Sequence, residues 1–132
     1  IFDTSALISL GTIRIMDDVL KLAGIVIIAS IIKELEEFAK HEDEYGKVSK
    51  EVLKYKDKFI VKKTKIKESI EYIQPTDNEL YNLAKKQSST LITDDIKFSR
   101  HVNVKIETQF RNIRNWRNNI IYLITKNQLE QL

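Results

Sequence analysis

"IVIIA", residues 25–29, decides the fold class. The run is apolar and almost wholly β-branched, lying between Gly24 and Ser30. A segment apolar at every position, rather than at every second one, is the mark of a strand buried on both faces, and such strands belong to parallel sheets covered by helices. Working outward, Ser30 reads as the cap of a helix from Ile31 to about Lys40. Upstream, Ser5–Leu10 and Ile15–Leu22 read as helices around Gly11, and Ile1–Phe2 as the short end of a first strand. Downstream, "HEDEYG" (41–46) reads as a loop, about 47–58 as a lysine-rich amphipathic helix, Phe59–Val61 as a short strand and 66–73 as helical. Pro75-Thr76 opens a helix running to Lys86, with Thr76 and Glu79 as a capping box. Thr90–Thr93 and "VNVKI" (102–106) read as strands, and 108–132 as one or two helices. Strands alternating with helices predict an α/β sandwich on a mostly parallel sheet, a single domain over 1–132 with 108–132 as a helical C-terminal extension.

Composition narrows the chemistry. The 132 residues contain no Cys and only two His, His41 and His101, which excludes thiolate chemistry, disulfides and Cys-based zinc sites and disfavours a multi-histidine metal site. No apolar run approaches the ~20 residues of a membrane span and no signal peptide is visible, so no membrane partner and a cytoplasmic location are expected. The net charge of +3 is uneven: residues 1–60 carry 9 basic and 11 acidic side chains, residues 61–132 carry 13 and 8. A basic C-terminal half is compatible with a polyanionic partner.

In "LITDDIKFSR" (91–100) the apolar run ends at Thr93 and two carboxylates, Asp94 and Asp95, follow. Adjacent like charges at a strand end call for a cation nearby. Other acids fall at comparable places. Asp3 lies between the first strand and the first helix. On the helix after Ser30, at about 100° per residue, Ile31, Ile32, Leu35, Phe38 and Ala39 share one arc. Glu34 and Glu36 flank that arc on opposite sides, and Glu34 is the one nearer the strand end. On the helix from Pro75, Leu80, Leu83 and Ala84 define the buried face and Asp77 stands at its edge in the first turn, whereas Glu79 points away. All these acids lie at or just beyond the carboxyl ends of strands, the edge where α/β proteins place their sites. A cluster of carboxylates without Cys and with little His selects a hard cation, Mg²⁺ or Mn²⁺. Such an ion activates water and stabilises charge in a phosphodiester displacement.

"FDTSALISL", "IIKELEEF", "TDNELYNLAKK" and "LITDD" together, in this order, resemble the motifs of the PIN-domain nucleases, over roughly residues 1–107. The resemblance implies a three-layer α/β/α sandwich and an Mg²⁺- or Mn²⁺-dependent endoribonuclease acting on RNA. It further implies either a VapC-type toxin with a small antitoxin partner or an RNA-processing enzyme, and a homodimer. By likeness Asp3, Glu34, Asp77 and Asp95 are the catalytic acids. Asp3, Asp77, Asp94 and Asp95 are the metal ligands, Asp95 being favoured over Asp94 by the family's T-x-D pattern. Ser5 helps to hold water at the metal, and Thr93 stands beside it behind the ligands. Two departures stand out: 41–70 is charge-rich and specific to no branch, and the chain continues about 25 residues past Ile106. That continuation holds "RNIRNWRNN", with Arg111, Arg114 and Arg117 at helical spacing beside Trp116, a row suited to RNA phosphates with the indole stacking on a base.

Each feature also has a plainer explanation. Asp3 and Asp77 would each be favoured at a helix N-terminus by ~0.3–1 kcal/mol with no function. Glu36, Glu37, Glu42 and Asp43 read as a solvated face, Lys85 and Lys86 as charges at a helix C-terminus, and His101 as a surface residue. The arginine row could equally be a solvated helix face with Trp116 completing the core. A phosphatase of the kind that uses an Asp after its first strand needs a second Asp two residues on, where this chain has Ser5, and a receiver domain needs its acid pair early rather than last. The rival that remains is a catalytically inactive PIN-like scaffold or RNA-binding module.

Overall fold

The computed structural model describes residues 1–22, 24–65, 74–87, 89 and 91–93, together with the backbone of 105–106 and 122–124. Helices α1 (Thr4–Thr12) and α2 (Met16–Leu22) precede strand β1 (Val26–Ile28), which passes into α3 (Ala29–Ala39). Helix α4 (Glu44–Leu53), a 3₁₀ turn (Lys56–Lys58) and β2 (Ile60–Lys62) follow, then α5 (Pro75–Gln87), β3 (Leu91–Thr93), β4 (Lys105–Ile106) and β5 (Tyr122–Ile124). The class is mixed α/β and, among the described residues, mostly helical. No helix among them is long and apolar enough to cross a membrane.

The reading of residues 25–29 holds for the strand: Ile27 and Ile28, which as neighbours point to opposite faces, are both fully buried, as is Ile25. β1 pairs in parallel with β2, Val26 opposite Ile60. On its other side the Phe2 N–H donates to the Val26 carbonyl at 2.8 Å. Phe2 forms a parallel bridge with Ile92, and Ile92 N–H and Asp3 N–H donate to Ile1 and Ile92 carbonyls at 2.7 and 3.1 Å. Residues 1–3 thus stitch β1 to β3 as the short strand end anticipated. The expectation of a mostly parallel sheet holds only on this side. β3 pairs antiparallel with β5, and β5 antiparallel with β4, since a returning strand needs no crossover helix and mixed sheets of this kind are common.

Other boundaries shift for identifiable reasons. β5 lies inside 108–132, so that segment is not purely a helical extension: the run Ile120–Ile124 is the same kind of continuous apolar segment as 25–29. The helix after β1 begins at Ala29 with Ile28 as its cap residue, so Ser30 is helical rather than the cap. α4 begins at Glu44, inside the stretch read as a loop, because Asp43 caps it, its Oδ1 accepting from Gly46 N–H at 2.8 Å. Asp43 is therefore a structural residue and not merely a solvated charge. The 66–73 helix, His101 and the arginine row lie outside the described residues.

α1 ends in a left-handed turn of the Schellman type: Ile15 N–H donates to the Leu10 carbonyl and Arg14 N–H to the Gly11 carbonyl, at 3.1 and 3.2 Å. Arg14 occupies the left-handed position at φ 59°, where glycine is the residue without steric cost. Arg14→Gly is expected to raise stability by about 0.5–1 kcal/mol, the strain removed outweighing the added chain entropy. A higher urea midpoint at unchanged slope would show it, whereas a lower midpoint would mean that the arginine side chain contributes more than its backbone costs. Gly11 lies where α1 crosses α4: a Cβ there would approach Val52 Cγ2 to 2.7 Å and Val48 Cγ1 to 2.9 Å.

Candidate functional site

Asp3 is fixed from both sides. Its backbone N–H is held by β3, and its side chain caps α1, Oδ1 accepting from Ala6 N–H and from Ser5 Oγ, each at 2.8 Å. The Thr93 hydroxyl, at the last position of β3, donates to Asp3 Oδ2 and lies 3.3 Å from Ser5 Oγ. Asp3 is only 3% exposed, and a carboxylate so far from water requires such donors. The carboxyl ends of two strand segments therefore meet here, with Ser5 and Thr93 both on the Asp3 carboxylate. Asp94 and Asp95, the next residues after Thr93, lie outside the described residues.

Glu34 arrives from a different element. α3 follows β1 without a connecting loop, so its second turn stays close to the sheet edge, and Glu34 Oε2 accepts from Thr4 Oγ1 at 2.7 Å. Position along the axis separates it from its neighbours: Glu34 is half-buried, while Glu36 and Glu37 are exposed. Glu37 pairs with Lys40 at the surface. Asp77, in the first turn of α5, is half-buried. Glu79 does not simply point away, because its Oε1 accepts from Ser30 Oγ of α3 at 3.4 Å.

Asp3, Glu34 and Asp77 line one pocket of about 210 Å³. Thr4, Ser5, Ile31, Phe38, Tyr45, Gln74 and Thr76 line it with them among the described residues. Several of these linings were not marked out as site residues by the sequence. Thr4 is signalled only by its place beside Asp3. Phe38 stands one turn after Glu34 and was legible as its neighbour on that face, but its size suggested burial alone. Tyr45 carried no signal, since its segment read as a loop.

Among the described lining residues the oxygen donors are carboxylates, hydroxyls and an amide, with no sulfur and no imidazole, a set suited to a hard divalent cation. Among the described residues no three His, Cys, Asp or Glu side chains come close enough to hold one metal ion together. An ion in this pocket would have to be held by one or two carboxylates and by water, as Mg²⁺ commonly is; Asp3 and Asp77 are the candidate ligands, with Glu34 bonded to Thr4.

Neither the known protein families nor the curated proteins nor the solved structures contain a match to this chain. A larger cavity of about 710 Å³ between α1, α2 and α4 is lined by Arg14, Lys47, Asp17, Glu44 and Glu51. Its charges are of both signs. Two of its acids are engaged, Asp17 accepting from Tyr55 Oη at 3.1 Å and Glu51 pairing with Lys54 at 2.9 Å. Partial burial, the Asp17 bond and the negative charges of Asp17 and Glu51 push the Tyr55 phenol above its usual range, with Lys54 opposing them. Asp3, Glu34 and Asp77 are not among the described residues that line this cavity.

Proposed function

We propose that the protein is an Mg²⁺- or Mn²⁺-dependent endoribonuclease with a PIN-like α/β/α sandwich. The observation that carries this reading is that Asp3, Glu34 and Asp77 line one pocket, although they come from three elements far apart in sequence. A divalent ion bound there would supply an activated water and offset the charge that develops on a phosphodiester. The chain's own residues do the rest. Asp3, clamped by Ala6, Ser5 and Thr93, gives the ion a fixed anionic anchor. Thr4 holds Glu34 in one orientation, leaving its other oxygen to orient water or accept its proton. Asp94 and Asp95 complete the acidic set in sequence. A toxin with a small antitoxin, or an RNA-processing enzyme, would use the same site.

The inactive scaffold keeps one observation in its favour: Asp3 already serves α1 as a cap. Labelled single-stranded RNA incubated with Mg²⁺ or Mn²⁺, with EDTA, and with an Asp77→Asn variant separates the readings. Cleavage is expected with metal, to stop on chelation and to fall at least about tenfold in the variant. Cleavage that persists in EDTA would sink the metal-site reading. No cleavage and no rise of melting temperature with Mn²⁺ would leave the scaffold.

A further inference from the structure

We propose that Tyr45, braced by Phe38, is a stacking platform for one base of a single-stranded RNA, set on the rim of the acidic pocket. The inference rests on the reading of that pocket as a phosphodiester site.

Tyr45 continues the apolar stripe of α4, three and seven residues before Val48 and Val52, both of which are buried. By that pattern it belongs in the core. Instead it is 41% exposed and lines the pocket with Asp3, Glu34 and Asp77. Phe38 lines the same pocket, and the two rings stand edge to face, centroids 4.8 Å apart at 88°. That geometry is attractive for aromatic pairs and holds the tyrosine ring in place, so little freedom remains to be lost when a second ring stacks on it. Gln74 and Thr76, which line the same pocket, bring an amide and a hydroxyl, groups able to hydrogen-bond a base edge.

The lining combines acidic side chains with aromatic ones, the two kinds of contact this reading asks of a site for a nucleotide. Carboxylates alone repel a phosphate, so the substrate must gain affinity elsewhere in the site. A planar base beside an aromatic ring supplies it, and does so for any base because every base has a π-face. Bases in a duplex are stacked on each other, so the platform selects unpaired strands.

The test is equilibrium binding of a single-stranded oligoribonucleotide containing 2-aminopurine, read by anisotropy and by quenching of the stacked base, in EDTA and in Ca²⁺. Wild type and Tyr45→Phe are expected to bind alike and quench. Tyr45→Ala and Tyr45→Leu are expected to weaken binding between about 5- and 150-fold, the usual range for one lost base–aromatic stack, and to abolish the quenching. Leucine retains apolar packing against Phe38, so a loss in Tyr45→Leu at unchanged melting temperature assigns the effect to the π-face. The proposal is overturned if wild type fails to bind or quench, if the leucine variant binds and quenches like wild type, or if the phenylalanine variant is as weak as alanine. Quenching that depends on Tyr45 in a protein that cleaves nothing would retain the platform and remove the nuclease. Metal-dependent cleavage with binding indifferent to Tyr45 would do the reverse.

Discussion

Asp3→Asn is expected to give a folded protein whose metal-dependent RNA cleavage is lower by about a hundredfold or more, the scale of removing one preorganised charge from an active site. The substitution separates the two roles of this side chain. As a helix cap, Asn is as good as Asp, and its amide oxygen can keep accepting from Ala6 N–H and Ser5 Oγ. On the other side the amide nitrogen meets Thr93 Oγ1, a hydroxyl that can turn from donor to acceptor. The fold therefore loses about 1 kcal/mol or less, whereas the anionic anchor disappears. Asp3→Ala loses the cap as well, worth about 0.5–2 kcal/mol. Melting curves of the two variants beside their cleavage rates distinguish anchor from cap. Equal, undiminished cleavage by Asp3→Asn would reduce Asp3 to a structural residue.

Gly46→Ala is expected to destabilise by about 3 kcal/mol or more, at the upper end of overpacking effects, lowering the melting temperature on the order of 10 °C for a domain of this size. An exposed helical glycine would give the opposite sign, since alanine is favoured there by about 1 kcal/mol. Here the obstacle is space. Gly46 is buried, and a Cβ on it would overlap the His41 carbonyl oxygen and lie 2.8 Å from the Phe38 oxygen and the His41 carbonyl carbon. Both obstacles are backbone at the end of α3, so no side chain can swing aside. The displaced segment carries Tyr45 and faces Phe38, so RNA binding should fall with stability. A melting temperature equal to wild type would show that α4 can move away from α3 freely.

Some of this was legible in residues and some was not, for physical reasons. The strand at 25–29 was visible because burial on both faces leaves no polar position in the pattern, and Asp77 was visible because a first-turn acid beside Leu80 and Ala84 has one edge to occupy. Glu34 could be separated from Glu36 only by nearness to the strand end; in the structure Glu34 accepts from Thr4 and lines the pocket, while Glu36 is exposed. The start of α4 was hidden because "HEDEYG" is charged and contains a glycine, two loop signals. Its cap at Asp43 and the tight approach at Gly46 depend on where α3 ends, which is a tertiary fact. The antiparallel β5 was missed because a short apolar run is ambiguous between helix and strand until its neighbours are known.

The absence of a loop between β1 and α3 ties chemistry to gearing. Ile28 is extended and Ala29 is already helical, so the phase of every side chain on α3 is set directly by the strand. One residue added at that junction and taken up by the helix advances the sequence by about 100° around its axis. The place now held by Glu34 would then fall to Lys33, and a negative wall of the pocket would become a positive one. A single inserted codon at this point would therefore change the polarity of the site while leaving the hydrophobic composition of the protein untouched. Conversely, an insertion far longer but placed after Ala39 would leave Glu34 in register with Asp3.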